Sequence, residues 1–244
     1  MAWFLTEPLL FKTKYNADMK SSTKHPHLFA YIFLSCIILL VASCKKNDPG
    51  VVVNGEAKIK IVNTVQNESA QGFYVDGQKV NVNALAFGET SEYLKISSGN
   101  RKLAFINEQN ASTEAEFSFV PSITYTTFLV SDRTGKKDVI SFEDNLSNQE
   151  SGKAKVKLIN LTPYFVTGIS VSVQTGTQFV NSLMYKEASN YFTVDAGANL
   201  LFNVVGSGTI KTIAGTNLQA GKIYTIWFSG TNVASLDAHI ITDN

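Results

Sequence analysis

Residues 57–63 read Ala-Lys-Ile-Lys-Ile-Val-Asn, and this stretch decides the class of fold. Charged and aliphatic side chains alternate in it with a period of two, which is typical of a β-strand rather than a helix. The alternation predicts that Lys58 and Lys60 face water while Ile59 and Ile61 face a core.

The same stretch returns later in the chain. Residues 154–160 read Ala-Lys-Val-Lys-Leu-Ile-Asn, 97 positions after the first stretch, so Lys155 and Lys157 are again expected to face water. Residues 85–94 return as residues 183–192 at an offset of 98.

The end of the repeat is marked by a dipeptide. Asp144-Asn145 returns as Asp243-Asn244 at an offset of 99. A period of this length exceeds that of solenoid repeats, so each copy is expected to be a domain. The predicted domains are residues 57–145 and 154–244, joined by a polar linker at 146–153.

Each copy has the pattern of a β-sandwich. About seven short strands are expected per copy, and Asp76-Gly77 is a two-residue hairpin signal because glycine supplies a positive φ. Tyr224 follows a glycine turn, as in a tyrosine corner, and Tyr125 lies at the matching point of the first copy. An ordinary strand tyrosine is the alternative at both positions. The prediction is an all-β chain of two tandem immunoglobulin-like β-sandwiches.

These motifs carry a family resemblance. Residues 59–63, then Val75-Asp76-Gly77, then residues 85–88 before Tyr93 and Ile96 resemble domain of unknown function 4397. That family occurs in bacterial envelope proteins, often in tandem, in lipoproteins of the Bacteroidetes type. The resemblance is good over the first copy and weaker over the second, which has Lys186 where the first has Gly88. It implies a β-sandwich at the cell envelope, and it brings no established activity and no catalytic residues.

The N-terminal region has the layout of a bacterial lipoprotein signal. Lys20 and Lys24 precede an uncharged apolar run at residues 28–41, and two small residues then lead to Cys44. The run is shorter than the ~20 residues of a membrane-spanning helix. We therefore expect residues 1–43 to be removed, with the true start at Met19.

Cleavage before Cys44 would leave this residue as the lipidated N-terminus, followed by a tether that extends to residue 56. The expected location is the bacterial outer membrane, and the pattern does not distinguish its periplasmic face from the cell surface.

The charge of the mature chain excludes some partners. Removing residues 1–43 takes away four lysines and two acids and leaves 17 basic and 18 acidic residues, a net charge of −1. Such a chain has no basic excess for binding nucleic acid. Both cysteines lie at or before residue 44, so the mature domains can form no internal disulfide.

The mature chain offers few groups for chemistry, and we expect no cofactor, no metal site and no catalytic residues. Its one histidine, His239, could serve as a catalytic base but is expected to be an ordinary strand residue. Glu114 and Glu116 share a strand face and form the nearest local carboxylate pair. Residues 132–138 could bind calcium, although interleaved basic residues argue against this.

Tyr93 and Tyr191 are the candidate contact residues. They occupy equivalent positions, and alternation turns both away from the core of their own copy. They could contact a glycan or an envelope protein, or they could pack against a neighbouring strand or the other domain. The prediction is a non-catalytic binding, adhesion or scaffold module, and the alternative is a carboxylate-dependent glycan hydrolase of the envelope.

Overall fold

The computed structural model describes residues 55–147 and 150–244. The predicted signal region, Cys44 and nearly all of the tether lie outside these residues. Within the described part of the chain, the fold is all-β apart from a single 3₁₀ turn at Gly215–Asn217. The predicted fold class is therefore confirmed.

The strands of the first copy fall between residues 56 and 144. They are β1 (Glu56–Asn63), β2 (Gly72–Val75), β3 (Gln78–Lys79), β4 (Leu94–Ser97), β5 (Gly99–Ile106), β6 (Ser112–Phe119), β7 (Thr124–Ser131) and β8 (Lys137–Asp144).

The strands of the second copy fall between residues 153 and 242. They are β9 (Lys153–Asn160), β10 (Ile169–Val173), β11 (Gln178–Leu183), β12 (Phe192–Asp195), β13 (Leu200–Val204), β14 (Lys211–Ile213), β15 (Ile223–Ser229) and β16 (Asp237–Thr242).

The strands form four sheets with the same topology in both copies. The first copy contains the sheets β4-β1-β7-β8 and β3-β2-β5-β6, and the second contains β12-β9-β15-β16 and β11-β10-β13-β14. We call β4-β1-β7-β8 and β12-β9-β15-β16 the docking sheets, and the other two the outer sheets. Every strand pair within the described residues joins strands of the same copy, as expected for tandem sandwiches.

Each docking sheet is built around a parallel strand pair. β1 runs parallel to β7, from the pairing of Lys58 with Thr124 onward, and β9 runs parallel to β15 in the same way. Parallel strands are usually covered on both faces. Here the inner face of each docking sheet packs in the core of its own sandwich, and its other face meets the other sandwich.

The repeated asparagine at the end of the first strand has a structural role. Asn63 Nδ2 donates a hydrogen bond of 3.0 Å to the carbonyl of Leu85, and Asn160 Nδ2 donates one of 2.8 Å to Leu183. These bonds join two of the repeated sequence blocks. The repeat in sequence therefore reflects a repeated side-chain contact.

The two-residue hairpin is confirmed. Asp76 and Gly77 have φ values of 50° and 82°, and β2 and β3 pair directly across them. Positive φ at both turn positions is what a type I′ turn requires. β3 has only two residues, and the described part of each copy has eight strands rather than about seven.

Both copies contain a tyrosine corner. The hydroxyl oxygen of Tyr125 accepts a hydrogen bond of 3.1 Å from the backbone N–H of Val120, and that of Tyr224 accepts one of 2.9 Å from Gln219. Each bond reaches back five residues across the turn before the penultimate strand. Both tyrosines are buried, so loss of either bond would leave a poorly solvated polar group.

Replacing either corner hydroxyl should lower stability measurably. We expect Tyr125→Phe and Tyr224→Phe each to reduce the free energy of unfolding by ~0.5–1.5 kcal/mol, the usual range for one hydrogen bond. Tyr74→Phe, on the outward-facing side of an outer sheet, is the control and should change stability by less than ~0.5 kcal/mol. Urea unfolding followed by circular dichroism measures all three, and corner variants no less stable than the control would contradict the assignment.

Candidate functional site: the interface between the sandwiches

Two lysine–aspartate pairs cross from one sandwich to the other. Lys60 Nζ lies 3.0 Å from Asp243 Oδ1, and Lys157 Nζ lies 2.5 Å from Asp144 Oδ1. Lys60 and Lys157 are equivalent in the repeat, as are the two aspartates. The pairs are therefore reciprocal, and each sandwich supplies a lysine to one and an aspartate to the other.

Both pairs are removed from water. The side chains of Lys60 and Lys157 are 5% and 3% exposed, and those of both aspartates are 0% exposed. Lys155 is buried as well. The prediction that Lys60, Lys155 and Lys157 face water is therefore wrong, whereas Lys58 is exposed as predicted. The alternation identified the face correctly, but this face is covered by the other sandwich.

Further hydrogen bonds complete each buried pair. Thr126 Oγ1 donates to Asp144 Oδ2 at 2.7 Å, and Thr225 Oγ1 donates to Asp243 Oδ2 at 2.8 Å. The lysines also donate to backbone carbonyls at the end of the opposite copy, each at 3.1 Å. Buried ions are tolerated when hydrogen bonds of this kind replace their hydration.

Burial shifts the pKa of Asp243 in one direction, and its partners Lys60 and Thr225 shift it in the other. Burial raises the pKa of Asp243 above its ordinary value, while the ammonium of Lys60 and the hydroxyl of Thr225 act to lower it. Removing either partner would therefore leave a carboxylate that the interior does not stabilise as an anion.

Lys155 secures the linker between the copies. Its ammonium donates to the carbonyls of Asn145 and Ser147 at 3.0 and 2.7 Å. Burial lowers the pKa of Lys155. The contact fixes the chain at the start of the predicted linker, directly beside the reciprocal ion pairs.

The candidate tyrosines lie in the same interface. The Tyr93 hydroxyl donates to Asp144 Oδ2 at 3.0 Å and lies 3.5 Å from Asp243 Oδ1, and the Tyr191 hydroxyl accepts from the backbone N–H of Asn145 at 3.2 Å. Lys60 Nζ stands 4.3 Å from the centre of the Tyr93 ring. Burial, more than the neighbouring aspartates, raises the pKa of both phenols.

These contacts show how Tyr93 and Tyr191 pack, and they leave the predicted ligand contact untested. Both side chains leave the core of their own sandwich, as predicted, and their hydroxyls are engaged where the sandwiches meet. Each residue is half-buried. Packing between domains is therefore one role of these tyrosines, and contact with a ligand stays a prediction.

An apolar cluster continues the interface on the same faces of the docking sheets. It draws on both docking sheets and consists of Val62, Phe128, Val130, Ile159, Leu161, Trp227 and Ile241. Trp227 is fully buried, and its ring stacks on that of His239 with centroids 3.9 Å apart. Phe87 of the first sandwich meets both rings edge-on, at 5.9 and 5.5 Å.

The equivalent loop of the second sandwich contacts the docking sheet of the first. Lys186, one residue after the position equivalent to Phe87, forms an ion pair of 2.7 Å with Asp138 of the first sandwich. The hydroxyl of the neighbouring Tyr185 is buried without a hydrogen-bond partner among the described residues. Each sandwich therefore rests one loop against the docking sheet of the other.

His239 is held as a packed strand residue. Its Nε2 lies 2.8 Å from the hydroxyl of Ser229, which is 7% exposed, and Phe87 covers the imidazole. Burial lowers the pKa of His239, and the charge of Asp237 opposes that shift. A catalytic serine must be accessible to its substrate, whereas Ser229 is buried beside His239.

The lowered pKa of His239 predicts a pH-dependent stability. Below pH ~6.5 the unfolded chain takes up a proton more readily than the folded protein, so the stabilising contribution is present above this pH and is lost as the pH falls. His239→Gln keeps a group that can bond Ser229 but does not titrate. Urea unfolding at about pH 7.5 and about pH 5.5 should show a smaller loss for the variant. Equal losses would mean that His239 does not contribute.

The other predicted acids lie elsewhere. Glu114 and Glu116 share an exposed face of β6, as predicted, and Glu114 pairs with Lys102 at 2.5 Å. Asp132 Oδ1 accepts hydrogen bonds from the N–H groups of Thr134 and Lys136, so this carboxylate stabilises the β7–β8 turn. Across residues 55–147 and 150–244, no group of three or more His, Cys, Asp or Glu side chains could hold a metal ion.

Two clefts are lined by residues of both sandwiches. One, of about 360 Å³, lies between the loops at one end of both docking sheets, and another, of about 580 Å³, includes His239 and Tyr224. Neither cleft is lined by Asp144 or Asp243. The buried acids are therefore separate from these two clefts.

Fold and interface together define a tandem β-sandwich protein whose two domains are joined by reciprocal buried ion pairs. Residues 57–167 match the family model described as a domain of unknown function, DUF4397. The match confirms the resemblance for the first sandwich and extends through β9 of the second. No curated protein matches the chain. Among the described residues, no helix is long and apolar enough to cross a membrane.

Proposed function

We propose that this chain is a lipid-anchored protein of the bacterial cell envelope and that it acts as a non-catalytic binding, adhesion or scaffold module. Cys44 would carry the lipid and hold the protein on the outer membrane. The two sandwiches would then extend from this anchor as a single unit, presenting loops and exposed sheet faces to a glycan or an envelope protein.

The observation that carries this proposal is the burial of the converging acids. Asp144 and Asp243 both approach the hydroxyl of Tyr93, and each is paired with a lysine and has a fully buried side chain. A substrate cannot reach carboxylates in this state. The pairs Lys60–Asp243 and Lys157–Asp144 hold the two domains together, and we call them the clamp. This arrangement supports a structural role for the two acids.

A carboxylate-dependent glycan hydrolase is the second candidate. Glycosidases use two carboxyl groups that flank the scissile bond, and Asp144 and Asp243 are the acids that converge here. This activity would require the interface to open, because both lysine pairs and the tyrosine contact occupy the space between the acids. Glu114 is paired with Lys102 on an exposed face of β6.

Turnover separates the two candidates. Full-length protein in detergent is incubated with a panel of glycans, and the products are analysed by mass spectrometry. Asp144→Asn and Asp243→Asn are compared with Glu114→Gln, after folding is checked by circular dichroism. Saturable binding without turnover supports the module. Turnover that both folded interface variants lose, while Glu114→Gln retains it, would establish the hydrolase instead.

The lipid anchor is tested independently of any ligand. Acyl chains contribute about 0.8 kcal/mol per buried CH₂, so two or three of them hold a protein on a membrane without a spanning helix. We expect Cys44→Ala to leave the protein in the soluble fraction or uncleaved in the inner membrane. Cys36→Ala, within the predicted signal, is the control and should leave fractionation unchanged. Mature Cys44→Ala protein that still fractionates with the outer membrane would refute lipidation.

A further inference from the structure

The cleft of about 360 Å³ is a composite of both sandwiches. Its walls are the loops that follow β1 and β9, at residues 64–68 and 161–164, and the turns after β7 and β15. These are equivalent segments of the two copies. The cleft therefore exists only because the docking sheets are held together, and its volume is near the lower end of the ~300–1,000 Å³ typical of small-molecule sites.

A hydrogen bond between the two sandwiches crosses the cleft. Arg133 of the first sandwich donates through Nε to the carbonyl of Pro163 in the second at 2.6 Å. The adjacent Tyr164 lines the cleft and is 40% exposed, so its ring is accessible to a ligand. Gln66, Asn67 and Thr231 add amide and hydroxyl groups to the same walls.

The residues at equivalent positions of the two copies differ around this cleft. The position 97 residues before Tyr164 is Asn67, and the position 99 residues after Arg133 is Asn232. By contrast, the lysines and aspartates that clamp the interface are the same in both copies. The scaffold is thus repeated while the side chains around the cleft are not, so the cleft has two unlike walls that could orient a ligand.

The charge of the cleft points to a neutral ligand. Glu68 is paired with Lys137 at 2.8 Å, and Asp132 is occupied by the N–H and hydroxyl groups of its own turn. Asp132 and Arg133 carry opposite charges, so the cleft has no excess of either sign for a polyanion or a cation. Uncharged hydroxyl and amide partners beside an exposed phenol ring suit a sugar, which combines hydroxyls with an apolar ring face.

We propose that this cleft binds a neutral oligosaccharide, with Tyr164 stacking on a sugar ring and with Arg133 and Asn67 bonding its hydroxyls. The inference deepens the proposed function, on which it rests, by naming the class of ligand and the place of binding. It also gives the clamp a purpose, because the ion pairs hold together the two walls on which recognition depends.

Isothermal titration calorimetry on full-length protein in detergent tests the site. The probes are cellohexaose, laminarihexaose and mannohexaose, with hexagalacturonate as the charged comparison. We expect saturable binding of at least one neutral probe, weakened about tenfold or more by Tyr164→Ala and by Arg133→Ala, since ~1.4 kcal/mol corresponds to a factor of ten. Tyr74→Ala and Arg101→Ala, at half-buried positions of β2 and β5 that do not line the cleft, are the matched controls and should bind as the unmodified protein does.

The possible failures are distinguishable. If Arg133→Ala proves unfolded by circular dichroism, Asn67→Ala on the exposed loop replaces it with the same expectation. No binding of any neutral probe, preferential binding of hexagalacturonate, or binding indifferent to the cleft variants would overturn this site and leave the module itself standing. Shortened saccharides in the calorimeter cell, detected by mass spectrometry, would overturn the proposed non-catalytic function.

Discussion

Asp144→Ala should reduce the free energy of unfolding by ~3–5 kcal/mol, the range for breaking a buried ion pair by removing one partner. The change leaves the ammonium of Lys157 buried and uncompensated, and it removes the acceptor used by the hydroxyls of Thr126 and Tyr93. Urea unfolding monitored by circular dichroism gives the value. Asp243→Ala should behave in the same way because the two pairs are reciprocal.

Two comparisons make that result specific to the clamp. Asp195→Ala removes an aspartate whose side chain is 79% exposed in its pair with Lys153, and should cost less than ~1 kcal/mol. The double variant Lys157→Met with Asp144→Ala should be more stable than Asp144→Ala alone, since the unpaired charge is gone. If Asp144→Ala cost no more than Asp195→Ala, the buried clamp would be refuted.

Trp227→Ala should be comparably damaging, with an expected loss of ~3–5 kcal/mol. Among the described residues Trp227 is the largest fully buried side chain, and it stacks on His239 and meets Phe87 edge-on where the sandwiches meet. Truncation would leave a cavity at the centre of the apolar cluster. The same unfolding measurement applies, and a loss below ~1 kcal/mol would mean that the cluster does not hold the domains together.

The repeat supplies the matched control for this residue. The equivalent position in the first sandwich is Phe128, which is also fully buried. Trp227→Phe therefore installs a side chain that the fold already accepts at the related site, and it removes an indole N–H that has no partner among the described residues. We expect it to cost less than ~1.5 kcal/mol.

The strand pattern was predictable from the sequence because each sandwich has its own core. Ile59 and Ile61 pack there as the alternation predicted, and Asp76-Gly77 forms the predicted hairpin. Tyr125 and Tyr224 form corners because their hydroxyls need only a backbone N–H five residues away. Such contacts are local, so short-range sequence patterns are enough to indicate them.

The interface was not predictable in the same way. A period of two shows which residues share a face, but it does not show what covers that face, and so Lys60 and Lys157 were assigned to water. The available signal was that these lysines, Asp144 and Asp243 recur in both copies. Pairing them correctly required the relative placement of two domains, which no pattern within one copy contains.

The clefts could not be predicted from the sequence for the same reason. The walls around Arg133 and Tyr164 come from different copies and meet only after docking. Neither residue belongs to a motif, and their equivalents in the repeat differ. Loops of this kind vary more than the scaffold that positions them, which is why recognition residues are harder to anticipate than core residues.

The fixed docking of the two sandwiches is measured most directly by the distance between a spin label on each. Residues 45–244 contain no cysteine, so Val82→Cys and Ile210→Cys place single labels at positions that are 91% and 63% exposed. Double electron–electron resonance should give one narrow distance distribution, which Asp144→Ala should broaden. A broad or multiple distribution with the clamp intact would contradict the proposal that reciprocal ion pairs hold the two sandwiches as one unit.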